Sequence, residues 1–492
     1  MNYIGIDLGT SAMKILLVDN KGIILKSVAK AYPLYMPQDG FSEQEPSDWL
    51  GAMYEGIDEL LDGTDRTKVA GIGIGGQMHG LVVLDSEDEV IRPAILWNDN
   101  RTYEENDYLN NEIGKDILSS LTGNISFTGF TASKLLWMYN HEREHFDRIS
   151  KIMLPKDYLV YRLCGVHATD YSDASGMLLL DVKNKCYSER MLSICHVKKE
   201  WLPKLYESYE TVGCLLPAVA LRLGLGADVK VCAGAGDNAA AAIGTGTVAH
   251  GKCNISLGTS GTVFIASDNY AVDPNGAIHS FAHASGKYHL MGCMLSAASC
   301  NKWWMDEILR STDYEKEQAC IQRLGSNSVY FMPYLSGERS PHNDPFVRGA
   351  FVGLSMDTKR EDMYQAVLEG VAYGLRDSIE KVRGLGISIE SATLCGGGAR
   401  SDIWRRIITN VLGITLEIPA VEEGPSYGAA ILAMVSCGEY RDVYEAVDKL
   451  VSVCETYVPD GELVEKYDIG YEKYKKLYPA MKEWYMGDKV LM

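Results

Sequence analysis

Residues 6–20 and 255–269 are two copies of one pattern. Ile6-Asp7-Leu8-Gly9-Thr10-Ser11 aligns with Ile255-Ser256-Leu257-Gly258-Thr259-Ser260, 249 positions later, and the match runs on to Asp19-Asn20 against Asp268-Asn269, seven identities in fifteen positions. Each copy reads as a hairpin. In the first, Tyr3-Ile4-Gly5-Ile6 is an apolar strand, Gly9-Thr10-Ser11 a polar turn and Lys14-Ile15-Leu16-Leu17-Val18 the returning strand. The repeat predicts two related halves, 1–248 and 249–492, each opened by the same hairpin, with a cleft between them. Ligands collect in such clefts.

The 492 residues are ample for two large domains. In the first half, 46–61 reads as a helix, Val69 to Gly75 as a strand ending in glycines, 81–84 as a strand and 131–139 as a helix. After a polar stretch at 169–175, the strand 229–232 runs through Gly234-Ala235-Gly236-Asp237 into an Ala-rich helix at 238–243. In the second half, 361–383 reads as a long helix, 392–395 as a strand and 401–411 as a helix. The whole is α/β. Helix-like residues 467–484 leave two roles open, a homodimer contact or a cap on the second half.

Charge and cysteine usage narrow the function classes. Lys plus Arg number 47 and Asp plus Glu 66, a net charge of −19. That disfavours a nucleic-acid binder, which needs a basic surface to displace phosphate counterions. An acidic protein still binds polyphosphates through backbone donors, helix ends and a metal. Twelve cysteines scatter from Cys164 to Cys454 without a CxxC pair, which fits neither a disulfide framework nor a zinc ribbon. No run reaches the ~18 apolar residues of a membrane span, and a reducing, cytoplasmic setting is expected.

The two Gly-Thr-Ser tips offer backbone N–H groups and hydroxyls without bulk, a combination suited to phosphate oxygens; ordinary hairpin turns are the alternative for each alone. Asp7 and Lys14 of the first copy are Ser256 and Val263 in the second. A carboxylate at a strand end beside a phosphate turn suits Mg²⁺, so the first half alone is expected to hold the metal, at Asp7. Gly396-Gly397-Gly398, between a strand and a helix, suits either close approach of a nucleoside or tight packing. Asp237 opens a helix after a glycine turn, which suits either chemistry or N-capping. Gly76-Gln77-Met78-His79-Gly80 and Trp97-Asn98-Asp99-Asn100-Arg101 gather polar groups that suit a polyhydroxylated ligand or buried structural hydrogen bonds.

Three other patterns are set aside. Gly246 to Cys253 nearly spells a P-loop, but Cys253 stands where the metal-binding hydroxyl belongs. His141 to His145 has the HExxH spacing of a zinc site, in a charged stretch with no evident third ligand. Gly71 to Gly76 lacks a dinucleotide fingerprint and reads as packing.

Taken together, these segments resemble the FGGY family of carbohydrate kinases over nearly the whole chain. The family's signatures are matched at Gly129-Phe130-Thr131 through Lys134, Trp137 and His141, and at 349–354 through Asp362 and Glu369. The resemblance implies a duplicated actin-like ATPase fold, related to ribonuclease H, with two domains around a deep cleft. GQMHG at 76–80, WND at 97–99, LPKDYL at 154–159, SDASG at 172–176, GDNAA at 236–240 and PYLSGERSPH at 333–342 resemble members that phosphorylate D-xylulose. It further implies ATP and Mg²⁺, with Asp237 as catalytic base and Asp7 at the metal–phosphate centre. Met78 and His79 would contact the ketopentose, with Asp99 and Asn238 beside them. Thr10, Ser11 and Lys14 would form the first phosphate loop, Gly258 and Thr259 the second. Gly397, Gly398 and Asp402 would receive the nucleoside, and Trp303 would wall the adenine. Two alternatives stand: another ketopentose such as D-ribulose, or a polyol, and, in a different class, a nucleotide-dependent sugar sensor without catalysis. A sugar substrate and ATP are the expected partners, without nucleic acid or membrane.

Overall fold

A computed structural model describes residues 1–486; residues 487–492, the end of the expected second half, lie outside the described residues. The first sheet contains β1 (Asn2–Leu8), β2 (Ala12–Asp19), β3 (Ile24–Ala31), β4 (Val69–Gly76), β5 (Thr211–Cys214) and β6 (Lys230–Cys232), in the order β5-β6-β4-β1-β2-β3, and Ala235–Gly236 also pairs with β4. The second contains β7 (Cys253–Leu257), β8 (Gly261–Ser267), β9 (His279–Ala282), β10 (Tyr288–Met294), β11 (Ser391–Cys395), β12 (Thr415–Pro419) and β13 (Val453–Tyr457), in the order β9-β10-β8-β7-β11-β12-β13. With β1 matched to β7 the two strand orders correspond, β9 being an added edge strand of the second. Each has an antiparallel hairpin, a third antiparallel strand beside it, two parallel strands on the other side and an antiparallel strand at that far edge. The sequence repeat is thus a repeat of topology.

Helices cover the sheets as their apolar spacing requires. α1 (Pro46–Leu60) begins with Pro at its first position and buries Trp49, Met53, Ile57 and Leu60, one stripe along its axis. α2 (Thr131–His141) and α3 (Pro155–Cys164) also belong to the first half. α4 (Asp237–Gly244) leads out of it, and α5 (Arg360–Gly384) and α6 (Asp402–Leu412) belong to the second. The expected helix at 467–484 is two, Gly461–Tyr474 and Leu477–Met486. The first of them buries Tyr467, Tyr471 and Tyr474 in the second half's core, so it caps that half.

One helix departs from the expected boundary at 248/249. α7 (Gly424–Cys437) comes from the second half of the chain but packs on the first sheet. The approach is backbone to backbone. A Cβ on Gly5 would lie 2.0 Å from the Ser426 carbonyl oxygen, one on Gly73 2.0 Å from that of Ala429, and one on Gly428 1.8 Å from that of Ala240. Those distances exclude any side chain, and they settle the glycine-rich β4 as a packing surface. β9 also crosses. Phe281 packs with Phe130 and Leu135 of the first half, and the Asn124 amide bonds both the N–H (3.1 Å) and the carbonyl (2.8 Å) of Ser280. No helix among the described residues is long and apolar enough to cross a membrane.

Candidate active site

Two carboxylates meet at the strand ends of the first sheet. Asp7 of β1 is in register with Gly75 of β4, and Ala235 is in register with the same Gly75 on the other side. Asp237, two residues after Ala235, therefore emerges beside Asp7. Asp237 is the first residue of α4 and does not cap it, because Gly236 holds the cap position. Its Oδ1 accepts from the backbone N–H (2.7 Å) and side-chain amide (2.9 Å) of Asn238. Among the described residues Oδ2 has no partner. Burial pushes the Asp237 carboxyl up to about 6, against the pull of the two Asn238 bonds. Burial and then the Asp237 charge push Asp7 up to about 7, with Lys14 opposing. Two desolvated acids with so little compensating charge form a site that favours a cation.

The donors fit Mg²⁺ delivered with phosphate. No group of three or more His, Cys, Asp or Glu able to hold a metal occurs among the described residues. Mg²⁺ is commonly bound by one or two carboxylates together with water and substrate phosphates, and the Asp7–Asp237 pair matches that pattern.

Both Gly-Thr-Ser tips are open to such phosphates. The first turns through a Gly9 N–H to Ala12 carbonyl bond of 3.2 Å, and at the second the carbonyls of Gly258 and Thr259 accept from Ala298 and Ala297. Among the described residues the amides of Thr10, Ser11, Gly258, Thr259 and Ser260 have no acceptor. Thr10 is held by the Trp97 indole, whose N–H donates to its hydroxyl at 2.9 Å. Lys14, directly across the hairpin from Asp7, pairs with Glu423 just before α7.

Met78 and His79 follow β4 and lie against the backbone that carries Asp237. A Cβ on Gly236 would meet Met78 at 2.8 Å, and one on Gly176 would meet the His79 ring at 2.4 Å. His79 adopts φ 68°, left-handed for a non-glycine residue. Its carbonyl is held by Thr131 (3.0 Å) and by the buried ammonium of Lys134 (2.8 Å), and its ring stacks on Phe130 at 4.5 Å. Nδ1 lies 2.8 Å from the Gly176 carbonyl, so it carries the proton and Nε2 is an acceptor. Burial drives the imidazole down to about 3. It is neutral at any working pH.

Asp99 is a correction. It is fully buried, and its two oxygens accept from the Arg101 backbone and guanidinium and from the Ser42 N–H. Four donors saturate a carboxylate, so Asp99 clamps the 97–101 segment and has no lone pair for a sugar.

In the second half a cavity of about 1130 Å³ is lined by Gly258, Thr259, Gly397, Gly398 and Asp402, with Gln318 and Ile321 among the residues opposite. The glycines divide their roles. Cβ atoms on Gly396 and Gly398 would strike Leu257 at 2.8 and 2.6 Å, whereas one on Gly397 would meet nothing within 4 Å. Packing explains the outer two, and Gly397 is open. Asp402, at the start of α6, accepts from the Tyr457 hydroxyl at 2.8 Å and pairs with Arg406 at 3.0 Å. Trp303 is a second correction. It does not line the cavity but packs, half-buried, against the second half's core, stacked on Phe331 at 6.0 Å; Asn301 and Lys302, just before it, line the wall instead.

The set-aside motifs stay structural. The HExxH helix breaks at Glu142; His141 pairs with Glu105 at 3.3 Å, and His145 with Glu142 at 3.0 Å. Lys252 of the near-P-loop bonds Ser391 at 2.9 Å. Residues 169–175, expected as a polar stretch, are mostly buried around the ammonium of Lys156, which lies 2.7 Å from Asp157 and 2.9 Å from Asp170. Ser172, bonded to Asp170, accepts the Gly236 N–H at 3.2 Å, so this network braces the peptide before Asp237. Lys134, Lys156 and Ser172 carried no role in the sequence; their only trace was their place inside the 129–141, 154–159 and 172–176 motifs.

The duplicated two-domain α/β fold, with the Asp7–Asp237 pair at the strand ends of its first sheet, is of the actin-like ATPase kind. Residues 2–244 match the model of the FGGY family of carbohydrate kinases, N-terminal domain, and residues 253–437 its C-terminal domain. The chain belongs to the FGGY family and is a carbohydrate kinase, a class whose chemistry implies ATP. It is 40% identical over 483 residues, 97% of this chain and 99% of the relative, to the xylulose kinase of Escherichia coli K12. Two solved structures from Lactobacillus acidophilus, each 27% identical, also match: a ligand-bound xylulose kinase at TM-score 0.94, covering 99% of both chains, and a gluconate kinase at 0.93, covering 98% of both.

Proposed function

We propose that this kinase transfers the γ-phosphoryl group of ATP to D-xylulose, giving D-xylulose 5-phosphate and ADP. The fold alone does not choose the sugar, since a xylulose kinase and a gluconate kinase resemble it equally. Similarity over almost the full length to xylulose kinases favours the ketopentose. The observation that carries the chemistry is the unpartnered Oδ2 of Asp237, beside Asp7 and next to the Gly236 backbone on which Met78 packs.

In this proposal Asp237 accepts the proton of the C5 hydroxyl as that oxygen attacks the γ-phosphorus. A carboxyl near 6 is ionised at neutral pH yet more basic than an ordinary aspartate, which suits a general base. The open amides of the two tips bind phosphate oxygens, with Gly397 and Asp402 beside the nucleoside. His79 Nε2 accepts a sugar hydroxyl, and Asn238 holds the base in place. Asp7 would hold Mg²⁺, which would supply charge neutralisation at the phosphates. Because phosphoryl transfer passes through a loose transition state, positioning and charge carry most of the rate.

An ADP-release assay over D-xylulose, D-ribulose, a pentitol and gluconate, with and without Mg²⁺, tests the substrate. A preference for any of the other three would overturn the assignment. Asp237→Asn should remove most turnover while sugar binding persists; near-normal kcat would exclude the base.

A further inference from the structure

Arg339 lies in the 333–342 segment, which the second sheet holds firmly. Glu338 accepts from the backbone N–H groups of Leu295 (2.9 Å) and Arg339 (2.7 Å). Ser340 donates from its hydroxyl to the Ala277 carbonyl at 2.7 Å and from its N–H to the Cys293 carbonyl at 2.9 Å. From this anchored backbone the side chain reaches the first half, where the guanidinium carbon sits 4.8 Å from the centre of the Phe127 ring. Phe127 contacts Phe130 at 5.4 Å, and Phe130 stacks on His79. Arg339 is therefore joined, through Phe127 and Phe130, to the aromatic cluster that packs on His79. After burial, its charge is among the influences that keep His79 and His279 neutral.

Among the described residues this half-buried guanidinium has no hydrogen bond and no ion pair. It carries five N–H donors and no acceptor, and a partly desolvated charge of this kind gains from an oxygen acceptor. It does not line the nucleotide cavity. Its ring neighbours Phe127 and Phe130 belong to the half that carries Met78 and His79.

Its chemistry selects among sugars. A hydroxyl both donates and accepts, but a ketose carbonyl only accepts. His79 Nε2 accepts a hydrogen bond from a sugar hydroxyl, and a donor-only group reaching the same aromatic cluster complements a carbonyl oxygen. We infer that Arg339 is a specificity-determining residue that donates from the second half of the chain to the carbonyl oxygen of a ketose seated in the first half. The inference rests on the ketose-kinase assignment above and adds what separates a ketose from the corresponding polyol.

The test is steady-state kinetics of the full chain with D-xylulose, alongside the inhibition constant of a pentitol of matching hydroxyl configuration. Arg339→Met should raise the KM for D-xylulose roughly 10- to 100-fold, the range for losing a hydrogen bond to a charged group. The KM for ATP and the pentitol constant should move by less than about 2-fold. Arg339→Lys should recover part of the loss. Equal weakening of ketose and pentitol, an unchanged ketose KM, or a parallel loss for ATP would each overturn the inference. If Arg339→Met does not yield folded protein, Arg339→Gln, which keeps an amide donor, is read by the same ketose-to-pentitol ratio. Wild-type enzyme inactive on every ketose would sink the substrate assignment itself, whereas active wild type with an indifferent variant sinks only the role of Arg339.

Discussion

Asp237→Asn should make the protein more stable as it makes it inactive. The carboxyl is held at about 6 instead of its ordinary 3.8, with burial the largest cause. An acid whose folded value is raised binds its proton more readily in the folded state. The charged form therefore costs the fold its full penalty above pH 6, and that penalty fades as pH falls from 6 towards 4. At about 1.4 kcal/mol per pH unit, the cost at pH 8 is on the order of 3 kcal/mol. The asparagine keeps an Oδ1 for the two Asn238 bonds and also removes the charge that helps push Asp7 up. Because α7 ties the two halves into one unfolding unit of 492 residues, such a gain raises Tm by about 3 °C. Thermal unfolding should be followed without nucleotide or metal, because a bound cation would itself relieve the penalty. The gain should be largest at pH 8 and about half as large in free energy at pH 5. A variant no more stable than wild type at pH 8, or a gain indifferent to pH, would refute the claim that this site carries an unrelieved charge.

Three further outcomes follow from the same geometry. Asn238→Ala removes a hydrogen bond that favours the charged form of Asp237, so the acid limb of kcat/KM should move to higher pH; a limb that moves down or stays put contradicts the pairing. His79→Ala should raise the sugar KM at least 10-fold while the ATP KM shifts little, and because the imidazole is already neutral, the wild-type sugar KM should show no titration from His79 between pH 5 and 8. Gly397→Ala should raise the ATP KM without lowering Tm, whereas Gly398→Ala, whose Cβ would strike Leu257 and Trp404, should lower Tm by several degrees; the reverse pattern would mean the glycines have been assigned the wrong way round.

Much of this arrangement was legible in the residues. The duplicated hairpin tips, the long helix α5 and the strand-to-helix glycines follow from local periodicity and turn chemistry, which act over a few residues. What sequence left open is decided by one-residue shifts in element boundaries and by neighbours distant in the chain. Asp237 as helix cap or as free carboxylate turns on whether Gly236 or Asp237 occupies the cap position, a difference of one residue. Asp99 carries the same polar signature whether it faces a ligand or a buried arginine, and only the fold brings Ser42 and Arg101 onto it. Trp303 and its cavity-lining neighbours differ by a fraction of a helical turn. The route of α7 back to the first sheet leaves no local trace, because an apolar helix rich in small residues suits either sheet.

That return of α7 bears on how the molecule is made. As the chain leaves the ribosome, the inner face of the first sheet, with Gly5, Gly71 and Gly73 bared, waits for a segment that begins at Gly424, far beyond the expected boundary. The amino-terminal portion cannot finish folding by itself during synthesis, and a fragment ending near residue 248 would expose an unfilled apolar groove prone to aggregation. Supplying a peptide that spans residues 424–437 to such a fragment should restore its solubility.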